Sequence, residues 1–272
     1  MKLIFTLMLG LGLALGATAL PAGENPWQHI IVIGASASAG FVLSEPLGGT
    51  NTDQCQLRHY LDAAITTPHA PVENLASATL FLNPDLVAPF QVAMVTNRHP
   101  TLVIGVDFLF WFCYGNGRTD ADRARHFEAG LKLLEQISAP IIVGDIPDAS
   151  FATNTGIISS FQVPSETARA AANRRLLEWA ARHPQVTVVP LAQFMRDVSR
   201  NSAVTIHEKI IPAGKTQRWL QADALHPTPV GAAMLSLRIL DHLVKTQKDF
   251  PAQDICWQAE TVLNHGLAAA AH

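Results

Sequence analysis

Short runs of apolar, mostly β-branched residues recur along the chain, and most of them end at a glycine, an aspartate or a proline. Runs of this length between turn residues are typical of strands buried on both faces of a parallel sheet. We predict four such strands and a weaker fifth, at residues 29–33, 102–106, 140–143, 186–189 and, with the weakest pattern, 72–75.

Apolar residues spaced three and four apart occupy stretches between these strands, which is the pattern of helices with one buried face. Strands that alternate with helices imply a parallel sheet covered on both sides. The sequence therefore predicts an α/β fold, with its chemistry in the loops that leave the C-terminal ends of the strands. The predicted helices run to about residues 138, 183 and 245, and their N-terminal caps are Thr119 or Asp120, Ser165, and Thr228 before Pro229.

Two regions lack a clear period. Residues 151–163 are expected to form a loop over the same edge of the sheet. Residues 204–220 alternate weakly about positions 212–214, which favours a small hairpin. No linker interrupts the pattern, so we expect residues 20–272 to form a single domain.

The first 19 residues are typical of a signal peptide. Lys2 gives a positive start, residues 3–16 are almost wholly apolar, and Ala17-Thr18-Ala19 has the small-x-small pattern that signal peptidase cleaves. A retained N-terminal anchor is the alternative, although the apolar run is short for a membrane span. The protein is thus expected to be exported, either periplasmic or secreted, with no membrane span after cleavage.

Charge and cysteine content exclude some classes of protein. Lys plus Arg is 19 and Asp plus Glu is 22, and a net charge of −3 argues against nucleic-acid binding. Cys55, Cys113 and Cys256 are too scattered for a zinc site or a disulfide scaffold. Either two of the three cysteines form a disulfide bond, or all three are buried thiols. His126 and His207 have no partners at ligand spacing, so no metal site is expected.

The segment from Gly34 to Gly40 reads Gly-Ala-Ser-Ala-Ser-Ala-Gly and follows the first predicted strand. A strand that stops at glycine and turns into a helix presents a serine hydroxyl above the sheet edge, near free backbone N–H groups. A nucleophilic serine needs that exposure, and the oxyanion it creates needs those donors. Ser36 is the candidate nucleophile, and Ser38 is expected to point less directly at the edge. A plain turn of small residues is the alternative interpretation.

A second candidate block is Asp223-Ala224-Leu225-His226-Pro227. A histidine just before a helix can lean toward the sheet edge, and an aspartate three residues earlier can accept its Nδ1–H. That bond sets the tautomer and stabilises the imidazolium that forms when a serine gives up its proton. A surface loop without catalytic function is the alternative.

Together the two blocks resemble the SGNH (GDSL-type) serine hydrolase family. Residues 34–40 are similar to that family's first block, commonly Gly-Asp-Ser-Leu-Thr-Ala-Gly, with Ala35 in the aspartate's place, and residues 223–226 are similar to its last block. Residues 102–107 resemble the strand leading to its Gly-x-Asn-Asp block. The resemblance implies a flavodoxin-like α/β/α sandwich and a Ser36–His226–Asp223 triad. It also implies hydrolysis of esters, often acyl groups on sugars, lipids or small alcohols, without a cofactor.

Two departures from that family concern its oxyanion hole, which the resemblance assigns to the N–H of Ser36, a second N–H and an asparagine. The second position is Ala78 here, and a backbone N–H serves equally well from alanine. Asp107 occupies the asparagine position. Three arrangements are open to its carboxyl group: it stays protonated and donates, it turns to accept backbone N–H groups, or it repels the oxyanion and leaves the site inactive. We expect the second arrangement, in which Asp107→Asn leaves turnover near wild type or raises it.

Two further groups adjoin the predicted site. Asp145 ends a predicted strand and is expected to be a solvated loop acid. The aromatic residues of segment 108–112 are expected in the core, or at the mouth of the site against an acyl or aglycone group.

Other functions fit the sequence less well. An α/β-hydrolase requires Gly-x-Ser-x-Gly, but Ser38 stands where the last glycine belongs. A nucleotide-binding turn requires closer glycines or a P-loop lysine. A non-catalytic binding protein on an SGNH-like scaffold remains the main alternative, since Asp107 would repel an oxyanion.

Overall fold

The computed structural model describes residues 25–46, 48–115 and 119–271, so the expected signal peptide at residues 1–19 lies outside the described residues. A five-stranded sheet of order β2-β1-β3-β4-β5 forms the centre, and each adjacent pair is parallel. All five predicted strands are present, and the weakest prediction is the shortest strand. The strands are β1 (Ile30–Val32), β2 (Glu73–Asn74), β3 (Leu102–Gly105), β4 (Ile141–Gly144) and β5 (Val186–Val189).

Helices follow or cover these strands. They are α1 (Ser36–Ala39), α2 (Thr50–Asp53), α3 (Leu57–Ala64), α4 (Pro84–Arg98), α5 (Phe110–Cys113), α6 (Asp120–Leu134), α7 (Glu166–Ala180), α8 (Leu191–Ser199), α9 (Pro229–Thr246) and α10 (Ala259–Ala269). The three predicted helices are α6, α7 and α9. Their N-terminal caps are Thr119, Ser165 and Thr228, whose side chains each accept a backbone N–H of the first turn. The sequence pattern did not predict α3, α4, α8 or α10.

The side chains of each strand alternate between the two faces of the sheet, so each face has its own core. On one face, Ile30 and Val32 of β1 and Ile104 of β3 pack with buried residues of α3, α8, α9 and α10. On the other face, Ile31 of β1 and Val103 of β3 pack with α4, α6 and α7. This layering and the strand order 2-1-3-4-5 are those of a flavodoxin-like α/β/α sandwich. The predicted fold class is therefore confirmed.

The two irregular regions contain short elements. Ser150–Thr155 and Ser160–Gln162 are 3₁₀ turns within the predicted loop. The predicted hairpin exists as antiparallel β6 (Val204–Ile206) and β7 (Lys209–Ile211), but its turn lies at His207, with φ 53°, and not at residues 212–214. The His207 ring stacks on Trp257 with 4.3 Å between ring centroids.

Within the described ranges, no helix is both long enough and apolar enough to cross a bilayer. All three cysteines are free thiols: Cys55 and Cys113 are buried, and Cys256 is half-buried. Burial raises the pKa of Cys55 to about 11 and that of Cys113 to about 12, so both stay protonated at neutral pH.

Candidate active site

The candidate site lies between the C-terminal ends of β1 and β3, the switch point where open sheets of this order bind their ligands. Ser36 begins α1 just after β1, and His226 reaches the same edge from the loop before α9. Nε2 of His226 lies 2.8 Å from Oγ of Ser36. Nδ1 of His226 lies 2.7 Å from Oδ2 of Asp223. The fold thus brings together three side chains that are up to 190 positions apart in sequence.

The loop that carries Asp223 and His226 is held by its own hydrogen bonds. Oδ1 of Asp223 accepts the backbone N–H groups of Leu225 and His226 at 2.9 and 3.0 Å, while Ala224 adopts φ 58°. Gln221 donates its backbone N–H to the carbonyl of His226 at 2.9 Å. The imidazole is therefore fixed in orientation before any ligand arrives, as a base acting on a serine requires.

Burial and neighbouring groups set the charge of Asp223. Only 7% of Asp223 and 4% of His226 is exposed, and the Phe41 ring lies 4.4 Å from the imidazole between centroids. Burial acts to raise the pKa of the Asp223 carboxyl, but the hydrogen bond and charge of His226 and the two backbone N–H groups outweigh it and lower the pKa below its usual value. Asp223 is thus ionised at neutral pH and accepts the Nδ1–H, which leaves Nε2 free to accept the Ser36 proton.

Asp107 accepts hydrogen bonds from the turn that bears Ser36. One carboxylate oxygen accepts the backbone N–H of Ala35 at 3.0 Å and the hydroxyl of Ser38 at 2.6 Å. The other oxygen accepts the N–H groups of Ala37 and Ser38 at 3.0 and 3.1 Å. Burial raises the pKa of the Asp107 carboxyl, and the Ser38 hydroxyl and the three N–H groups act against that rise. Because backbone N–H groups can only donate, they fit the ionised carboxylate.

This geometry is the second of the three arrangements expected for Asp107. It also corrects the assignment of Asp107 to the oxyanion hole, because both of its oxygens act as acceptors and neither offers a donor. Its four contacts involve residues 35, 37 and 38, so the carboxylate bonds the N–H groups on either side of Ser36. The N–H of Ser36 itself, at the first position of α1, has no acceptor within the helix.

Gly34 permits the close approach of Asp107 to this turn. A Cβ at this position would lie 2.1 Å from Oδ1 of Asp107. The backbone also has φ 134°, a conformation that residues with a Cβ disfavour. The buried amide of Gln91 in α4 accepts the N–H of Gly34 at 3.0 Å and donates to its carbonyl at 2.9 Å. Sequence reasoning missed Gln91. The available signal for Gln91 was a polar amide side chain in an otherwise apolar stretch, between Phe90 and Val92.

Ala78 lies where the resemblance placed it. It begins a 3₁₀ turn, Ala78–Phe81, capped by Ser77, whose side chain accepts the N–H of Thr79. The N–H of Ser77 donates to the carbonyl of Gly34 at 3.0 Å, which joins this turn to the end of β1. Ala78, Ser36 and His226 line one hollow. With Asp107 removed from the assignment, the backbone N–H groups of Ser36 and Ala78 are the donors that the resemblance still implies for an oxyanion.

Other candidate residues have structural contacts. Ser38 is fully buried and bonded to Asp107, so it faces away from the site edge. Asp145 is half-buried and accepts the N–H of Ala192 at 2.6 Å, so it caps α8 and the expectation of a solvated acid was wrong. Nε2 of His126 lies 2.5 Å from Asp85. No group of three His, Cys, Asp or Glu residues within the described ranges could hold a metal ion.

The aromatic segment after Asp107 divides between core and site. Phe108 and Phe112 are fully buried. Phe110 and Trp111 are almost as buried, but they line the hollow beside Ser36. The expected core position is therefore found for Phe108 and Phe112, and Phe110 and Trp111 lie beside the candidate site.

No protein-family model and no curated protein matches the chain. Several solved structures do. One is 19% identical and covers 81% of this chain and 98% of its own, with a TM-score of 0.53. TesA is 16% identical and covers 80% and 99%, with a TM-score of 0.46. The psychrotrophic esterase EstA from Pseudoalteromonas sp. is 16% identical and covers 83% and 97%, also with a TM-score of 0.46.

At such identities a structural likeness establishes a shared fold and nothing finer. The match with a TM-score of 0.53 extends over most of both chains, in agreement with the strand order and layers described above. The fold expected from the two sequence blocks, a flavodoxin-like α/β/α sandwich, is therefore confirmed.

Proposed function

We propose that this protein is a serine esterase, which hydrolyses carboxylic esters through Ser36, His226 and Asp223. One observation carries the proposal: His226 bridges Ser36 at 2.8 Å and Asp223 at 2.7 Å, at the switch point of the sheet. A nucleophile within reach of a base, with the base oriented by a third group, is the arrangement that activates a serine hydroxyl.

In the first half-reaction, Oγ of Ser36 attacks the ester carbonyl carbon while Nε2 of His226 takes the hydroxyl proton. The carbonyl oxygen becomes an oxyanion, which the N–H groups of Ser36 and Ala78 stabilise. The imidazolium then gives its proton to the alcohol oxygen, the carbon–oxygen bond breaks, and the alcohol leaves an acyl group on Ser36. Asp223 stabilises the imidazolium throughout.

In the second half-reaction, water takes the place of the alcohol. Nε2 of His226 accepts a proton from the water as it attacks the acyl carbon. The second tetrahedral intermediate collapses, and the imidazolium returns its proton to Oγ of Ser36. The products are the carboxylic acid, the alcohol and the unchanged enzyme, so the reaction requires no cofactor.

The character of the site supports a small-molecule ester as the substrate, with a sugar, a lipid or a small alcohol as the acylated partner. Ser36 and His226 face two adjoining hollows whose other lining side chains are mainly apolar. Such a lining favours the burial of hydrocarbon next to a few oriented polar groups.

The alternative, a non-catalytic binding protein, rested on Asp107 as a charge that would repel the oxyanion. The hydrogen bonds of Asp107 weaken that argument, because its charge is taken up by four donors beneath the Ser36 turn. The binding protein remains as one outcome of the following test.

The test combines hydrolysis of para-nitrophenyl acetate and butyrate with labelling by a fluorophosphonate, followed by mapping of the labelled peptide. We expect hydrolysis of both esters and a label on Ser36. The Ser36→Ala variant should lose the hydrolysis and the label. The matched control is Ser38→Ala, which should still take the label at Ser36. A label on Ser38 would refute the assignment of the nucleophile. No hydrolysis and no label on the folded protein would favour the binding protein.

We also propose that the protein is exported after cleavage following Ala19. The support is the sequence of residues 1–19 alone. Fractionation of cells that express the full chain, with N-terminal sequencing of the product, tests it. A mature chain that begins at residue 20 is expected outside the cytoplasm, and an uncleaved chain in the membrane fraction would indicate the retained anchor instead.

A further inference from the structure

The smaller of the two hollows at Ser36 extends into the protein between α8, α9 and the sheet. It has a volume of about 60 Å³. Its walls include Phe194 and Met195 of α8, Trp219, and Leu235 of α9, each with 9% or less of its surface exposed. The hollow is therefore a buried recess with its mouth at Ser36.

Few polar groups face this recess. Ser36 and His226 stand at the mouth, and Asp107 also contributes to the lining. All of the Asp107 contacts described above are to the turn of residues 35–38, so its oxygens are already engaged. An occupant must therefore be a hydrocarbon that carries its one reactive polar group at the Ser36 end.

The second hollow is larger, about 260 Å³, and part of its lining is exposed to solvent. It also contains Ser36 and His226, but its rim includes Leu82, which is 67% exposed, and Phe81, which is 42% exposed. The two hollows give the two sides of an ester different surroundings. One is lined mainly by buried side chains, and the other, called the open hollow below, is lined in part by exposed ones.

We propose that the buried recess binds the acyl chain of the ester, and that it accepts chains with about two to three carbon atoms beyond the carbonyl. This inference rests on the proposed esterase function. An apolar cavity of about 150 Å³ holds one benzene molecule, which has six carbon atoms, so about 60 Å³ holds roughly two to three carbon atoms.

The order of the reaction assigns the acyl chain to the buried side. The alcohol leaves first, and water must then reach the same carbon while the acyl group stays attached to Ser36. Exchange of alcohol for water requires an open path, whereas the acyl chain remains bound through both steps. The open hollow at Phe81 and Leu82 suits the alcohol, which leaves the buried recess for the acyl chain.

The first measurement is kcat/KM for para-nitrophenyl esters from acetate to dodecanoate, which keeps the leaving group constant. Each methylene buried should raise kcat/KM by about three- to fourfold until the recess is full. We expect a maximum near propionate or butyrate and a decrease of at least about tenfold by dodecanoate, because a longer chain overfills a rigid recess.

Two matched variants in α9 show whether the recess sets this profile. Leu235→Ala enlarges the recess, whereas Leu240→Ala removes the same atoms from the fully buried core of the same helix. Leu235→Ala should shift the maximum by roughly two carbons toward longer chains, and Leu240→Ala should leave its position unchanged. Met195→Ala, on the opposite wall, should produce the same shift if Leu235→Ala does not fold.

A binding measurement separates this inference from the proposed function. Uncleavable 2-alkanones, from butanone to dodecanone, are titrated into the wild type and Leu235→Ala by calorimetry. An optimum at about two to three carbons beyond the carbonyl, longer in Leu235→Ala, supports the recess even if no ester is hydrolysed. Ester hydrolysis with the same kcat/KM at every chain length, unchanged in both wall variants, would refute acyl binding in the recess. The proposed esterase function would still stand. If the protein shows neither ester hydrolysis nor chain-dependent binding, both the esterase function and the acyl-binding recess are refuted.

Discussion

Asp107→Asn tests how the Ser36 turn is held. Asparagine has nearly the shape of aspartate but replaces one acceptor oxygen with an NH₂ donor. In the side-chain orientation that keeps more of these hydrogen bonds, the amide oxygen accepts the N–H groups of Ala37 and Ser38. The NH₂ then donates to the hydroxyl of Ser38. The N–H of Ala35 then faces a donor where it had an acceptor at 3.0 Å.

The expected magnitude follows from that one stranded N–H. A buried donor left without an acceptor costs about 1–3 kcal/mol, so the free energy of unfolding should fall by about that amount. Displacement of the turn also moves the Ser36 hydroxyl and N–H, and misplacement by about 1 Å at a reacting group costs up to about 100-fold in rate. We expect kcat/KM to fall by about 10- to 100-fold. The hydrogen bonds therefore reverse the expectation from sequence that Asp107→Asn would be neutral or favourable.

The assay pairs urea unfolding with ester hydrolysis between pH 6 and 8. The matched control is Asp145→Asn, which changes a helix-capping aspartate at the end of β4 and should affect stability with little change in kcat/KM. A folded Asp107→Asn protein with wild-type stability and turnover would refute the reasoning. That result would mean that Asp107 is protonated and already donates as asparagine does.

The remaining predictions concern the triad and its turn. Ser36→Ala and His226→Ala should each abolish nearly all ester turnover, and the double variant should lose little more, because the two act as one unit; full additivity in single-turnover assays would contradict this. Asp223→Ala should lose less turnover than His226→Ala, since a misplaced imidazole still accepts a proton part of the time. Because the folded-state pKa of Asp223 is lowered, its contribution to stability is complete above the unfolded pKa, about 3.9, and is lost as the pH falls through the folded value. The difference in unfolding free energy between wild type and Asp223→Asn should thus be constant near neutral pH and shrink below about pH 4. Gly34→Ala should destabilise the fold by at least about 1–3 kcal/mol in denaturant titrations, from backbone strain at φ 134° and the clash with Asp107, and a stable variant would show that the turn can move.

The local sequence determined the elements with strong signals. The β-branched runs became the parallel strands because only a strand buried on both faces accommodates continuous apolar residues. Thr119, Ser165 and Thr228 began helices because their hydroxyls accept the free N–H groups of a first turn. The position of Ser36 at the sheet edge also followed from the sequence, because it comes directly after a predicted strand. The placement of His226 beside it was implied by the resemblance of the two sequence blocks to a known family.

Helices with weak patterns were not predictable. In α4, Pro89 lies inside the helix, Leu86 and Phe90 are exposed, and Gln91 is buried. Its apolar spacing therefore does not mark the buried face. The tertiary structure overrides the pattern, because the amide of Gln91 is needed by both backbone groups of Gly34.

Only the tertiary structure decided the role of Asp107 and the shape of the recess. The sequence offered three states for Asp107, and the choice depended on which donors lie within 3.1 Å, a matter of how β1, α1 and β3 meet. The recess is likewise bounded by α8 and α9, which are distant in sequence from Ser36. Periodicity along a chain reports which side of an element is buried, but the distances between elements arise only when their side chains pack together.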